Sequence, residues 1–188
     1  MIYLAGEIKM EAKKRVTFKF IILLLFASAV LAGCGKNYIN STEPLHQLIE
    51  QGRINELRLT IYYVSPYILT VIAWDVDNLI NSEIVKKIVI NGGDLEKHID
   101  LLNRISNIYL TPVIRKSYLD ARIYYVFETE KEGKIFDVAM WGYSDGDGKS
   151  IFVNGFAAKD DGIFYDVIMP FLPEDAAKEL GKYTGRGN

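Results

Sequence analysis

The sequence predicts an α+β fold: an antiparallel sheet of about five or six strands ending in a C-terminal β-meander, one main amphipathic helix packed on a face, and a short C-terminal helix. Three observations carry this expectation. Runs rich in β-branched and aromatic residues dominate the last third and are separated by Asp- and Gly-rich turns. Leu95, Ile99, Leu102 and Ile105 recur at helical spacing. The 155 residues from Cys34 onward suit one domain, able to bury roughly 70% of its unfolded surface.

Taken in order, Pro44 suits the first turn of a helix with Glu43 as its cap, Leu45, Leu48 and Ile49 give it an apolar face, and Gly52 ends it. ELRLTIYYV (56–64) reads as a strand broken by Ser65-Pro66, and YILTVIAW (67–74) as a second extended run. Asp77 is placed to cap a brief helix near Asn78 to Ser82. IVKKIVIN (84–91) reads as a strand, closed by Asn91-Gly92-Gly93, after which Asp94 caps the main helix. Beyond Pro112 the pattern is β. ARIYYVFETE and KIFDVAMWGY flank Lys131-Glu132-Gly133, SIFVNGFA follows Asp145 to Gly148, and IFYDVIM follows Asp160-Asp161-Gly162. Glu174 and Asp175 behind Pro173 start the last helix, and Gly181 is expected to stop it.

The N-terminal portion has a different character. Residues 20–35 are uncharged and follow the basic cluster Lys13-Lys14-Arg15. This run is short of the roughly 20 apolar residues a spanning helix needs, but fits the apolar core of a secretory signal. Leu31-Ala32-Gly33-Cys34 resembles the lipobox of bacterial lipoproteins at all four positions. The resemblance implies diacylglycerol on the Cys34 thiol (a covalent diacylglycerol/fatty acid group on Cys34), cleavage before Cys34, and anchoring to the outer leaflet of the cell membrane. The alternative is an uncleaved signal anchor with an incidental cysteine. On the lipobox reading, residues 1–33 are a signal peptide (with translation starting at Met10, where a better basic leader begins), 34–43 a lipidated tether and 44–188 the single globular domain. A flexible coil the length of residues 35–43 spans roughly 15–18 Å, so the domain would stay near the bilayer.

Charge separates the same regions. Residues 1–33 carry a net +3 and the whole chain −2, leaving −5 on the remainder. An acidic domain is a poor ligand for nucleic acid, whose affinity comes from phosphate neutralisation by clustered Lys and Arg. The single cysteine excludes a disulfide within the chain, so stability rests on packing.

The hairpin around Gly133 sorts into two faces. Ile123, Tyr125 and Phe127 should lie opposite Met140, Val138 and Phe136, a wholly apolar core face. The other face should set Arg122, Tyr124, Val126 and Glu128 against Tyr143, Trp141, Ala139 and Asp137, with Phe152 and Phe156 extending it. Arg122, Tyr124, Trp141 and Tyr143 are therefore the candidate binding face. Either another layer covers these aromatics as a second core, or they form an open platform for a protein, peptide or envelope glycan.

KKIVINGGDLEKHIDLLNRIS, ARIYYVFETEKEGKIFDVAMWG and IFVNGFAAKDDGIFYDVIMPFLPEDAAKEL resemble an uncharacterised lipoprotein domain family of Firmicutes, over roughly residues 56 to 180. The resemblance implies a Gram-positive envelope setting and brings no catalytic or binding motif.

Catalytic signatures are sparse. The two histidines, His46 and His98, lie apart, and no serine sits in a G-x-S-x-G context. Asp145 and Asp147 imitate the start of a calcium loop, but Lys149, Ser150 and Phe156 occupy the positions where further ligands and the turn glycine belong. Glu128 and Asp137 are the carboxylate pair nearest to a glycosidase arrangement. The sequence thus implies no cofactor beyond the covalent lipid, no metal and no catalytic residue. It suggests a non-enzymatic binding lipoprotein, with an inhibitor or immunity-type protein against an extracellular enzyme, or a carboxylate hydrolase, as alternatives.

Overall fold

A computed structural model describes residues 42–114, 116–144 and 149–184. The chain divides into residues 1–38 and 39–188, and all described residues lie in the second unit. Cys34, the other lipobox residues and Asp145 and Asp147 lie outside the described residues.

The architecture is α+β. Helix α1 (Glu43–Glu50) precedes β1 (Arg58–Tyr63), α2 (Val76–Ile80) and β2 (Lys86–Asn91). Then come α3 (Gly92–Leu95), a 3-10 turn over Glu96–His98, and α4 (Ile99–Ser106). The meander is β3 (Ser117–Thr129), β4 (Gly133–Ser144), β5 (Lys149–Val153) and β6 (Phe156–Lys159), followed by α5 (Ile163–Asp166) and α6 (Glu174–Thr184). The six strands form one antiparallel sheet in the order β2-β1-β3-β4-β5-β6.

Alternation in the strands decides where the main core sits. Leu59, Ile61 and Tyr63 of β1 share a face with Ile123, Tyr125 and Phe127 of β3 and with Phe136, Val138 and Met140 of β4. Leu45 and Leu48 from α1, Leu95 from α3, Leu102 and Ile105 from α4, Phe164 from α5 and Leu180 from α6 pack into this one cluster. Each such side chain contributes about 1.5–3 kcal/mol by leaving water. The buried Tyr125 hydroxyl is satisfied, donating to the Phe164 carbonyl at 3.1 Å. The register Ile123↔Met140, Tyr125↔Val138 and Phe127↔Phe136 is the one the sequence predicts.

Several elements differ from expectation, each for a physical reason. Residues 67–74 form no strand: β2 and β3 already flank β1, and the run is a loop tied to β3 where the Trp74 carbonyl accepts from the Ala121 amide. The run 163–169 is helical at its start, because the Asp161 carboxylate accepts from the Ile163 amide and begins a turn of helix instead of closing a hairpin. SIFVNGFA is two strands. Asn154 and Gly155 take φ of 48° and 83° and close the β5–β6 hairpin. The main helical segment starts earlier than Asp94, with Asn91 in the capping position. Thr42, rather than Glu43, precedes α1, and Asp75, rather than Asp77, caps α2 by accepting from the Asn78 amide at 2.7 Å. Helix α6 runs through Gly181.

Candidate functional site

The second face of the sheet carries the candidate residues, and two bulges divide them. Between Leu119 and Ile123, β3 places three residues against the single residue Trp141 of β4. Across β4 and β5, Met140 and Trp141 oppose Ile151 alone. The extra residue turns Trp141 to a φ of 86° and swings its indole into the main core. There it is buried and meets Tyr165 edge-on at 6.3 Å. Trp141 therefore does not join Tyr124 on an open platform. The expected opposition of Tyr124 and Trp141 is also corrected by the register: Tyr124 faces Ala139, and Val126 faces Asp137. Tyr143 pairs with Tyr118 near the far end of the hairpin. Phe156 pairs with Val153 beside the turn and is half exposed, outside the Tyr124 face.

Arg122 is buried, not displayed. Its Nη2 donates to Asp120 Oδ2 at 2.8 Å and to Thr70 Oγ1 at 2.9 Å. Its guanidinium lies 5.6 Å from the Trp74 ring centre. Asp120 also accepts from the Trp74 amide at 2.9 Å. These bonds fasten residues 70–74 to β3.

Tyr124 does border open space. A groove of about 500 Å³ runs between α2 and strands β3 to β5 of the sheet. Tyr124 and Leu119 come from β3, Lys134, Asp137 and Ala139 from β4, and Phe152 from β5. Asp75 and Asp77 stand on the α2 side, and Asn154 and Gly155 at the β5–β6 turn. Asp137 organises the polar end. Its Oδ2 accepts from Lys134 Nζ at 2.5 Å and from the Tyr124 hydroxyl at 3.2 Å. Its backbone amide donates to Asn154 Oδ1 at 2.9 Å, and its carbonyl accepts from the Asn154 amide. Tyr62 lies beside Tyr124, ring centres 6.0 Å apart, with Lys87 Nζ 5.4 Å from the Tyr62 ring. Burial, then the neighbouring Asp137 carboxylate, pushes the Tyr124 phenol well above its usual range, so it stays a neutral donor.

Of these groove residues, Tyr124 and Phe152 follow from strand alternation. Lys134 and Asn154 do not, because their positions depend on the irregular ends of two hairpins. The Asn154-Gly155 turn was the available signal for the second of them.

Glu128 and Asp137, the carboxylate pair singled out in the sequence, are each engaged by a basic side chain. Glu128 aligns with Lys134 and accepts from Arg58 at 2.8 Å, while Asp137 is held by Lys134 and Tyr124. Glu56, Asp94 and Asp175 are displaced below the usual carboxylate range. Their leading causes are hydrogen bonds from Arg53, from Lys97 and from the Ala176 amide, respectively. His98 is half-buried against Phe171, ring centres 5.0 Å apart. Among the described residues no group of three or more side chains could hold a metal ion, and no helix is long and apolar enough to cross a membrane.

No family model, curated protein or solved structure matches the chain.

Proposed function

We propose that the protein is a lipid-anchored extracytoplasmic binding module, held to the outer leaflet through Cys34 and taking an envelope ligand in the Tyr124–Asp137–Phe152 groove. The observation that carries the reading is the composition of that groove: two aromatic side chains beside three carboxylates, an ammonium and an amide. Aromatic rings next to convergent donors and acceptors suit a sugar polymer, whose rings stack on the one and whose hydroxyls bond to the other. The lipobox and the short tether would keep the groove at the membrane, within reach of envelope glycan.

The test has two arms. Intact mass of the native protein reports diacylglycerol on Cys34, and Cys34→Ala should lose it. The full chain and its Phe152→Ala variant are then compared for retention on purified cell-wall glycan. Retention of the parent with loss in the variant supports the groove. Equal retention, or none by either, removes the glycan reading, and capture of a peptide or protein by the same groove would replace it.

A further inference from the structure

The segment between β1 and α2 is unlike an ordinary loop. From Val64 to Trp74 it reads VSPYILTVIAW, eleven residues without Asp, Glu, Lys, Arg or His. Leu69 is 95% exposed, Val71 104% and Ile72 64%, with Tyr67 and Ile68 also exposed. Exposed aliphatic groups scattered singly need no explanation, but a run of them on one loop marks a surface that meets another apolar phase.

This loop is held at both ends. Ser65 Oγ and the Tyr63 hydroxyl both donate to the Glu179 carboxylate of α6. At the other end the Ala121 amide donates to the Trp74 carbonyl at 2.7 Å, and the Arg122–Asp120 pair grips Thr70 and the Trp74 amide. A buried cation and two carboxylates thus hold a strip whose aliphatic tip stays exposed among the described residues. The fold presents these side chains outward.

We infer that the Tyr67–Ile72 loop dips into the outer face of the bilayer to which Cys34 anchors the chain. The inference rests on the anchored reading above. Helix α1 begins at Glu43, nine positions after Cys34, and a chain of that length reaches at most about 30 Å. A charge-free tip with aliphatic groups at its apex and Tyr67 and Trp74 at its flanks has the composition of an interfacial insertion. The acidic domain gains nothing from anionic headgroups, so the contact is apolar and insensitive to salt. Its effect is to fix the orientation of the domain on the membrane, which a flexible tether alone would leave free.

The experiment uses the full lipidated chain in vesicles of zwitterionic lipid with brominated acyl chains. Leu69→Trp places a reporter at the tip. Phe156→Trp, at the exposed β5–β6 turn, serves as the comparison. Relative to the parent chain, the Leu69→Trp increment in emission should shift to shorter wavelength and be quenched by bromine, unchanged by added salt, while that of Phe156→Trp should remain water-exposed. Equal quenching of both reporters, or of neither, on a chain shown by mass to carry lipid would overturn insertion and leave the anchor standing. An unmodified Cys34 would overturn both.

Discussion

Trp141 meets Tyr165 edge-to-face at 6.3 Å, with their planes 81° apart. This contact ties the bulge in β4 to helix α5 and makes Trp141 part of the packing. Trp141→Ala should therefore destabilise the domain by about 3–5 kcal/mol, measured by denaturant unfolding. Backbone geometry sharpens the prediction. At a φ of 86° an alanine is strained and a glycine is not. Trp141→Gly should be at least as stable as Trp141→Ala, the reverse of the usual order in a strand. A glycine variant clearly less stable than the alanine one would show that the bulge conformation is not retained.

Asp137 joins the Tyr124 hydroxyl to the Lys134 ammonium at the polar end of the groove. Tyr124→Phe should cost about 1 kcal/mol, and Asp137→Ala about 1–3 kcal/mol because it leaves the half-buried phenol without its acceptor. The two changes share that bond, so the double variant should cost less than the sum of the single ones. Unfolding curves for the four proteins check this. Strict additivity would mean that the hydroxyl does not depend on the carboxylate.

The legible parts of the fold were those governed by local alternation. Tyr125 opposite Val138 follows from apolar residues recurring every second position, which leaves one register that buries them all. Trp141 was not legible in the same way, since one extra residue in a bulge reverses every side chain beyond it and leaves no compositional mark. Residues 67–74 have strand propensity, but propensity does not record that both sides of β1 are already taken. Residues 163–168 are apolar throughout, and over so short a run a buried helix and a buried strand look alike. The groove shows the same division: Tyr124 and Phe152 are where alternation puts them, whereas Lys134 and Asn154 reach it from hairpin ends. Arg122 lies on the expected strand, but its role in holding Thr70 and Trp74 depends on a loop conformation that no periodicity encodes.

The adjacent glycines that open α3 should respond oppositely to the same substitution. A Cβ on Gly92 would lie 2.2 Å from the Ile54 carbonyl oxygen and 2.5 Å from Asn55 Cα, both backbone atoms that cannot swing aside. Gly92→Ala should thus destabilise by about 1–3 kcal/mol through forced backbone shifts. On Gly93 a Cβ meets nothing within 4 Å, and the residue is helical. Gly93→Ala should stabilise by about 0.5–1 kcal/mol. Thermal melts of the two variants against the parent decide the matter, and a shared sign would contradict the close approach of α3 to residues 54–55.

Alkaline pH should unfold the domain through its tyrosines. Burial is the leading cause that raises the Tyr63, Tyr124 and Tyr125 phenols above their ordinary value of 10.0, with Glu179 and Asp137 adding to the first two. A phenol that ionises later in the folded chain than in the unfolded one binds its proton more tightly when folded. Its stabilisation is complete below pH 10 and is lost as the pH rises through the folded-state values. Tyrosinate absorbance should therefore rise in two stages, the later one coinciding with loss of circular dichroism. Tyr124→Phe removes one of the three groups and should make stability fall less steeply with pH above 10. If the full tyrosine complement ionised before any loss of structure, these phenols would not be buried as described, and the packing of β1 and β3 against α5 and α6 would need revision.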